Sequence, residues 1–278
     1  MIACLVLTAC ASAGPSTQLA RRAGRCAWRV CVTTNETPNG RTYLIKNDEP
    51  VPATVVLEFK ALRNMESAEG RRVERVVEPR STEVIRLDRT GRGRTATDLA
   101  ISIDLGASST EAEDYVYAVP FGGTVPHRLI QGCGGEETHL GSMRWSLDIE
   151  MPPRTPVLAA RDGVVLYLQD GFTEGGTDPR LLERANLVVI AHADGSMATY
   201  GHLAPGLAVR VGDSVSVGQR LGPSGRTGFA GQPHLHFHVG LRVLGEPGRT
   251  IPVRIKDAEG VELYLSEGLL ISPGRRSY

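Results

Sequence analysis

His234 and His236 stand one residue apart in Gly231-Gln232-Pro233-His234-Leu235-His236-Phe237-His238-Val239, an apolar, β-favouring run. Side chains alternate with period two along a strand, so both imidazoles come to one face. Neutral imidazole is a good zinc ligand, and a mixed His/Asp set with an open position is the catalytic form of zinc. His139, Asp148 and His202 are the other candidate members of such a site. Together these five residues suit metal-assisted hydrolysis of an amide bond. A His-Leu-His tripeptide alone is a weak signal and fits ordinary packed histidines better. The combination tips the balance: an acidic residue after a His-bearing loop, and a further His before a Gly-rich stretch. His238 continues the same face, so three histidines share it, and at most two or three can reach one ion.

The elements that must position these residues read as all-β. Aromatics make up only 5% of the chain, whereas Gly (32) and Pro (17) are generous. Many short Val/Ile/Leu runs are bounded by Gly, Pro, Asp and Asn. The 278 residues are enough for two domains, each with its own core. With 31 basic and 31 acidic side chains the formal charge is zero, so nothing favours a nucleic-acid partner. No run reaches 18 apolar residues, and no transmembrane helix is expected.

Three regions follow. Residues 1–25 read as an export segment and tether. Met1 to Ala13 is apolar and uncharged, and Leu7-Thr8-Ala9-Cys10 resembles a bacterial lipobox, which makes Cys10 a candidate lipid anchor. The positive charge that normally opens a secretory signal is missing, so an ordinary apolar tail is the competing reading. Residues 26–121 read as a small antiparallel β-sandwich, with strands at 41–45, 53–59, 82–87, 99–105 and 115–119. Cys26 and Cys31 are spaced to close a small disulfide loop in an oxidising compartment. Phe121-Gly122-Gly123-Thr124-Val125-Pro126-His127 marks the boundary. Residues 122–278 form the site-bearing domain, with strands at 155–160, 163–169, 186–191, 197–200, 207–211 and 234–242, and a helical turn at 181–184. Cys133, between Gly132 and Gly134-Gly135, fits a turn better than a ligand position.

Several phrases then fall in the order of a known family. They include Asp148, Thr155-Pro156-Val157, Ala160-Arg161-Asp162-Gly163-Val164-Val165 and His192-Ala193-Asp194-Gly195. Tyr200-Gly201-His202-Leu203, Val211-Gly212-Asp213 and His234-Leu235-His236-Phe237 complete the series. Residues 128–258 thus resemble the lysostaphin-like (LytM-type) zinc metalloendopeptidases. The resemblance implies an antiparallel β fold with a groove across the sheet, and cleavage of peptide stems or cross-bridges in peptidoglycan. It also implies one zinc ion per chain held by His139, Asp148 and His236, with His202 and His234 as the catalytic pair. His192 matches a structural position, His238 lies outside the motif, and His127 is expected at the surface.

Two departures stand out. The family's metal segment is usually His-x-x-x-Asp, but Arg144 occupies that place here and the nearest upstream histidine is His139. Thr138-His139-Leu140-Gly141 resembles a longer-spaced Ser-His-x-Gly form of the motif. Arg154 stands where a glycine usually precedes Thr-Pro-Val, at a turn, which alters φ preference or groove charge. Glu150 shares a strand face with Asp148 and competes with it by chemistry. The resemblance picks Asp148 and leaves Glu150 a solvated or groove-facing charge. Beside an exported peptidase, two other readings remain. One is a degenerate relative that binds peptidoglycan or a partner amidase without cutting. The other is an enzyme plugged by its own N-terminal region.

Overall fold

A computed structural model describes residues 25–109, 111–134, 138–242 and 248–273. Apart from Arg25, the expected export segment and its Cys10 lie outside the described residues. The chain is nearly all β and forms two compact units, one within 25–109 and one from 111 onward.

The site-bearing unit is built on a nine-stranded antiparallel sheet. Its strands, in chain order, are β1 (His127–Gln131), β2 (Leu147–Glu150), β3 (Gly163–Gln169), β4 (Asn186–Ala191) and β5 (Met197–Leu203). Then come β6 (Ser214–Val215), β7 (His234–Leu241), β8 (Arg249–Ile251) and β9 (Leu270–Ile271). The spatial order is β6-β3-β4-β5-β7-β2-β1-β9, with β8 pairing β7. The strands alternate as their sequences dictate. Leu235, Phe237 and Val239 of β7, with Leu147 and Ile149 of β2, point into one core with Val165, Val188, Ile190 and Tyr200. Full burial of a side chain such as Phe237 stabilises the fold by about 2–3 kcal/mol. The Tyr200 hydroxyl in this core accepts from the Ala160 amide at 2.8 Å, so its polar end is satisfied.

The other unit is a two-sheet sandwich. One sheet runs Arg25–Ala27, Val30–Thr37, Gly40–Asn47, Thr82–Arg89, Met65–Glu66, and the other Arg72–Val77, Ala53–Arg63, Ala96–Leu105. Tyr43 and Phe59 meet between the sheets with ring centroids 5.6 Å apart. Buried Asn47 ties the turns by donating to the Val51 and Val77 carbonyls, both at 2.9 Å. Cys26 and Cys31 are bridged.

Three local expectations change. Residues 115–119 do not complete the sandwich: Val116–Ala118 pairs in parallel with Arg254–Lys256, and Tyr117, Val119 and Phe121 join the site-bearing core. The division therefore falls at 109/110 rather than after Phe121. Residues 207–211 are not a strand, because the Asp170 carboxylate takes the Gly206 and Leu207 amides and only Ala208 reaches across, to the Leu221 carbonyl. The helical turn lies at Pro179–Leu181, ahead of the expected 181–184, because the Asp178 carboxylate caps the Arg180 amide.

Candidate metal centre

Antiparallel pairing of β2 with β7 sets the heart of the site. Asp148 lies opposite His236 and Glu150 opposite His234, so the alternation that buries Leu147, Ile149, Leu235 and Phe237 turns these four polar side chains to the other face. His236 Nδ1 is 2.8 Å from Asp148 Oδ1, and His234 Nε2 is 3.7 Å from the same oxygen. Glu150 is exposed.

His139 arrives from the loop between β1 and β2. Its Nδ1 donates to the Gly132 carbonyl at 3.0 Å, which leaves Nε2 facing Asp148 Oδ2 at 3.3 Å. The loop base is tied twice. Gly134 N donates to the Arg144 carbonyl at 2.7 Å. Thr250 Oγ1, on β8, donates to the Ser142 carbonyl and accepts from the Trp145 amide, both at 2.9 Å. Fold-back of this loop explains how a spacing of nine positions can replace the family's usual four. The Gln131 amide satisfies its neighbours with its nitrogen toward Asp148 Oδ2 (3.2 Å) and its oxygen toward Thr138 N (3.2 Å).

His202 reaches the same face by breaking the alternation. Opposite β4, Asn186 pairs with Leu203 but Val188 pairs with Tyr200, so β5 carries one extra residue at this point. His202 takes the left-handed conformation, φ 60°, which an imidazole rarely adopts. Tyr200 and Leu203 both stay in the core while His202 turns out between them. Its Nδ1 donates to the Thr227 carbonyl at 2.7 Å, and its ring centroid lies 4.6 Å from that of His234 and 5.9 Å from that of His236.

His139, Asp148 and His236 each offer a donor atom within 4.8 Å of the others. Two imidazoles and a carboxylate are a catalytic zinc donor set. Among the described residues, buried His139 Nε2 has no hydrogen-bond partner, the condition expected of a ligand atom. The charges are arranged accordingly. Burial opposes ionisation of Asp148, but the imidazoles of His139 and His236 outweigh it and hold its carboxyl well below the usual carboxylate range. Burial also lowers the pKa of His139, yet the Asp148 carboxylate overrides it and raises the value. Burial, reinforced by the neighbouring imidazoles, pushes His202 down to about 3. It lowers His234 and His238 as well, so these rings are neutral at pH 7.

The remaining histidines separate. His192 is buried, with Nδ1 donating to the Asp162 carbonyl at 2.8 Å, away from the cluster. His127 is buried too, contrary to the surface position expected of it. It sits in β1 between β2 and β9, with its ring 5.0 Å from that of Phe121. His238, outside the motif, contacts the site directly: its Nδ1 lies 3.0 Å from His236 Nε2. Its place on the shared face was the signal for this. Cys133 is exposed and unbridged.

The donor set fits the zinc site that the sequence resemblance implies. Residues 142–247 match the family model Peptidase family M23, a segment that contains Asp148, His202, His234 and His236, with His139 just ahead of it. The chain is 32% identical over 142 residues to the cell division protein DipM of Caulobacter vibrioides, covering 49% of this chain and 21% of that protein. It is 37% identical over 114 residues to the peptidoglycan DD-endopeptidase ShyA of Vibrio cholerae, covering 41% and 24%. The chain thus spans about a quarter or less of these relatives' length. The catalytic domain of lysostaphin from Staphylococcus simulans matches at 26% identity over 44% of this chain and 84% of that one, with a TM-score of 0.32.

Proposed function

We propose that the protein is an exported zinc metalloendopeptidase that hydrolyses peptide bonds in the stems or cross-bridges of peptidoglycan, with His139, Asp148 and His236 as ligands of one zinc ion. The observation that carries this reading is the convergence of three donors from separate stretches within 4.8 Å, beside a neutral imidazole pair at 4.6 Å. The name of ShyA, a peptidoglycan DD-endopeptidase, supports the substrate class.

When bound, zinc supplies Lewis acidity and lowers the pKa of a coordinated water from 15.7 toward about 7. The protein's own groups do the rest. His234 and His202 both commit Nδ1–H to backbone carbonyls, Gln232 at 2.8 Å and Thr227 at 2.7 Å. Each neutral ring therefore keeps its lone pair on Nε2 and can accept a proton there. Once protonated, the same nitrogen can donate to an oxyanion or to the leaving amine. His234, on the strand of His236, takes the proton of the attacking water as general base. Relayed to Nε2 of His202, whose ring lies 4.6 Å from that of His234, the same proton is then donated to the oxyanion or the leaving amine, and a positioned donor of this kind contributes about 3 kcal/mol.

The Cys26–Cys31 bridge supports an oxidising, extracytoplasmic location, and loss of lipid labelling in Cys10→Ser would test the anchor. The central test is digestion of purified peptidoglycan by wild type and His236→Ala, with fragments identified by mass and zinc measured per chain. Peptide-bond cleavage by wild type alone, with one zinc per chain, is the expected result. Substoichiometric zinc and no fragments would instead identify a non-cutting, binding relative.

A further inference from the structure

His238 stands in none of the roles described so far, yet it is a buried third imidazole on the ligand-bearing face of β7. It lies opposite Thr199 of β5, and its ring centroid is 5.2 Å from that of His236. It contributes no donor to the His139–Asp148–His236 group. Instead its Nδ1 meets His236 Nε2 at 3.0 Å, on the side of the ring opposite the Nδ1 that faces Asp148. A neutral imidazole carries one proton, so a ring that offers the Nδ1 lone pair to a metal must hold its proton on Nε2. That proton needs an acceptor, and the only one the hydrogen bonds of the described residues give it is His238 Nδ1.

We propose that His238 is a positioning residue for the metal centre: by accepting the His236 Nε2–H it fixes the tautomer and rotation of that ring, so that Nδ1 points at the corner shared with His139 and Asp148. The assignment rests on the zinc reading above. Partners that orient a ligating histidine typically change metal affinity by 10–100-fold when removed.

The test uses the full chain. Zinc affinity is measured by chelator competition for wild type, His238→Phe and His238→Asn, with urea midpoints of the zinc-free proteins as a control on folding. Phe fills the space without an acceptor, whereas the Asn Oδ1 can occupy the position of Nδ1. The expected result is a 10–100-fold loss for Phe and recovery to within about threefold of wild type for Asn. Affinity within twofold of wild type for Phe overturns the proposal, as does equal weakness of both variants. If Phe fails to fold, histidine nitrogen NMR of the zinc-loaded wild type decides. A proton on His236 Nε2 and a metal-shifted Nδ1 support the proposal, and the reverse overturns it. Wild type that takes up no zinc defeats the zinc reading itself, a different failure from intact uptake with indifferent variants.

Discussion

Thr250→Val isolates the tether that brings His139 to the site. The substitution keeps the side-chain shape but deletes an oxygen that donates to Ser142 O and accepts from Trp145 N, both at 2.9 Å. Thr250 is only 6% exposed, so water replaces these bonds poorly. Each lost bond costs about 1 kcal/mol, for a total of about 2 kcal/mol. Because the two bonds hold the Gly141–Met143 turn that follows His139, most of this cost falls on the population of the closed loop. A shift of 2 kcal/mol caps the loss of apparent zinc affinity at about 30-fold, and a value near 10-fold is expected if the closed state holds roughly two-thirds of the wild-type population. Chelator competition measures it directly. The same substitution in a His139→Ala background should cost almost nothing further in affinity, since the loop then carries no ligand. Unchanged affinity in the single variant, or additive losses in the double variant, would refute the reasoning.

Other expectations follow from particular contacts. The Asp194 carboxylate accepts from Arg161 (2.8 Å), the Ser196 amide (3.0 Å) and hydroxyl (2.7 Å), and the Glu113 amide (3.0 Å), so Asp194→Asn should destabilise by about 2–3 kcal/mol at pH 7 in urea unfolding. These donors hold its pKa below the unfolded value of about 3.9, so the wild type's advantage is complete above that pH and shrinks as pH falls through the depressed folded value; a gap unchanged at pH 2.5 would contradict this. His202, lowered to about 3, has the same sign for a different reason: the unfolded ring binds a proton below about 6.5 while the folded ring does not, so zinc-free stability should decline from pH 6.5 toward 4, and less steeply in His202→Gln. Arg154 holds φ 74°, a conformation glycine adopts freely, so Arg154→Gly should raise the unfolding free energy, measured in urea, by roughly 0.5 kcal/mol once the looser unfolded chain is allowed for; a loss above about 1 kcal/mol would show that the arginine side chain matters there.

The features legible in the sequence are those that depend on local periodicity. Alternation through His234–Val239 and Leu147–Glu150 is enough to place Asp148 and His236 on one face, and the turn residues delimit most strands. What escapes is non-local. The outward turn of His202 depends on an extra residue in β5 relative to β4, a register that sequence spacing does not encode. The transfer of Tyr117 and its neighbours to the site-bearing core depends on pairing with Arg254–Lys256, more than a hundred residues away. His127 is buried because β9, from the far end of the chain, covers it. The distance from His139 to Asp148 is closed by Thr250, a residue that no metal motif would flag.

Two of the three donors face each other on one rung of the β2–β7 ladder, while the third comes from a separate loop. The loop could lengthen or shorten over evolution without disturbing that rung.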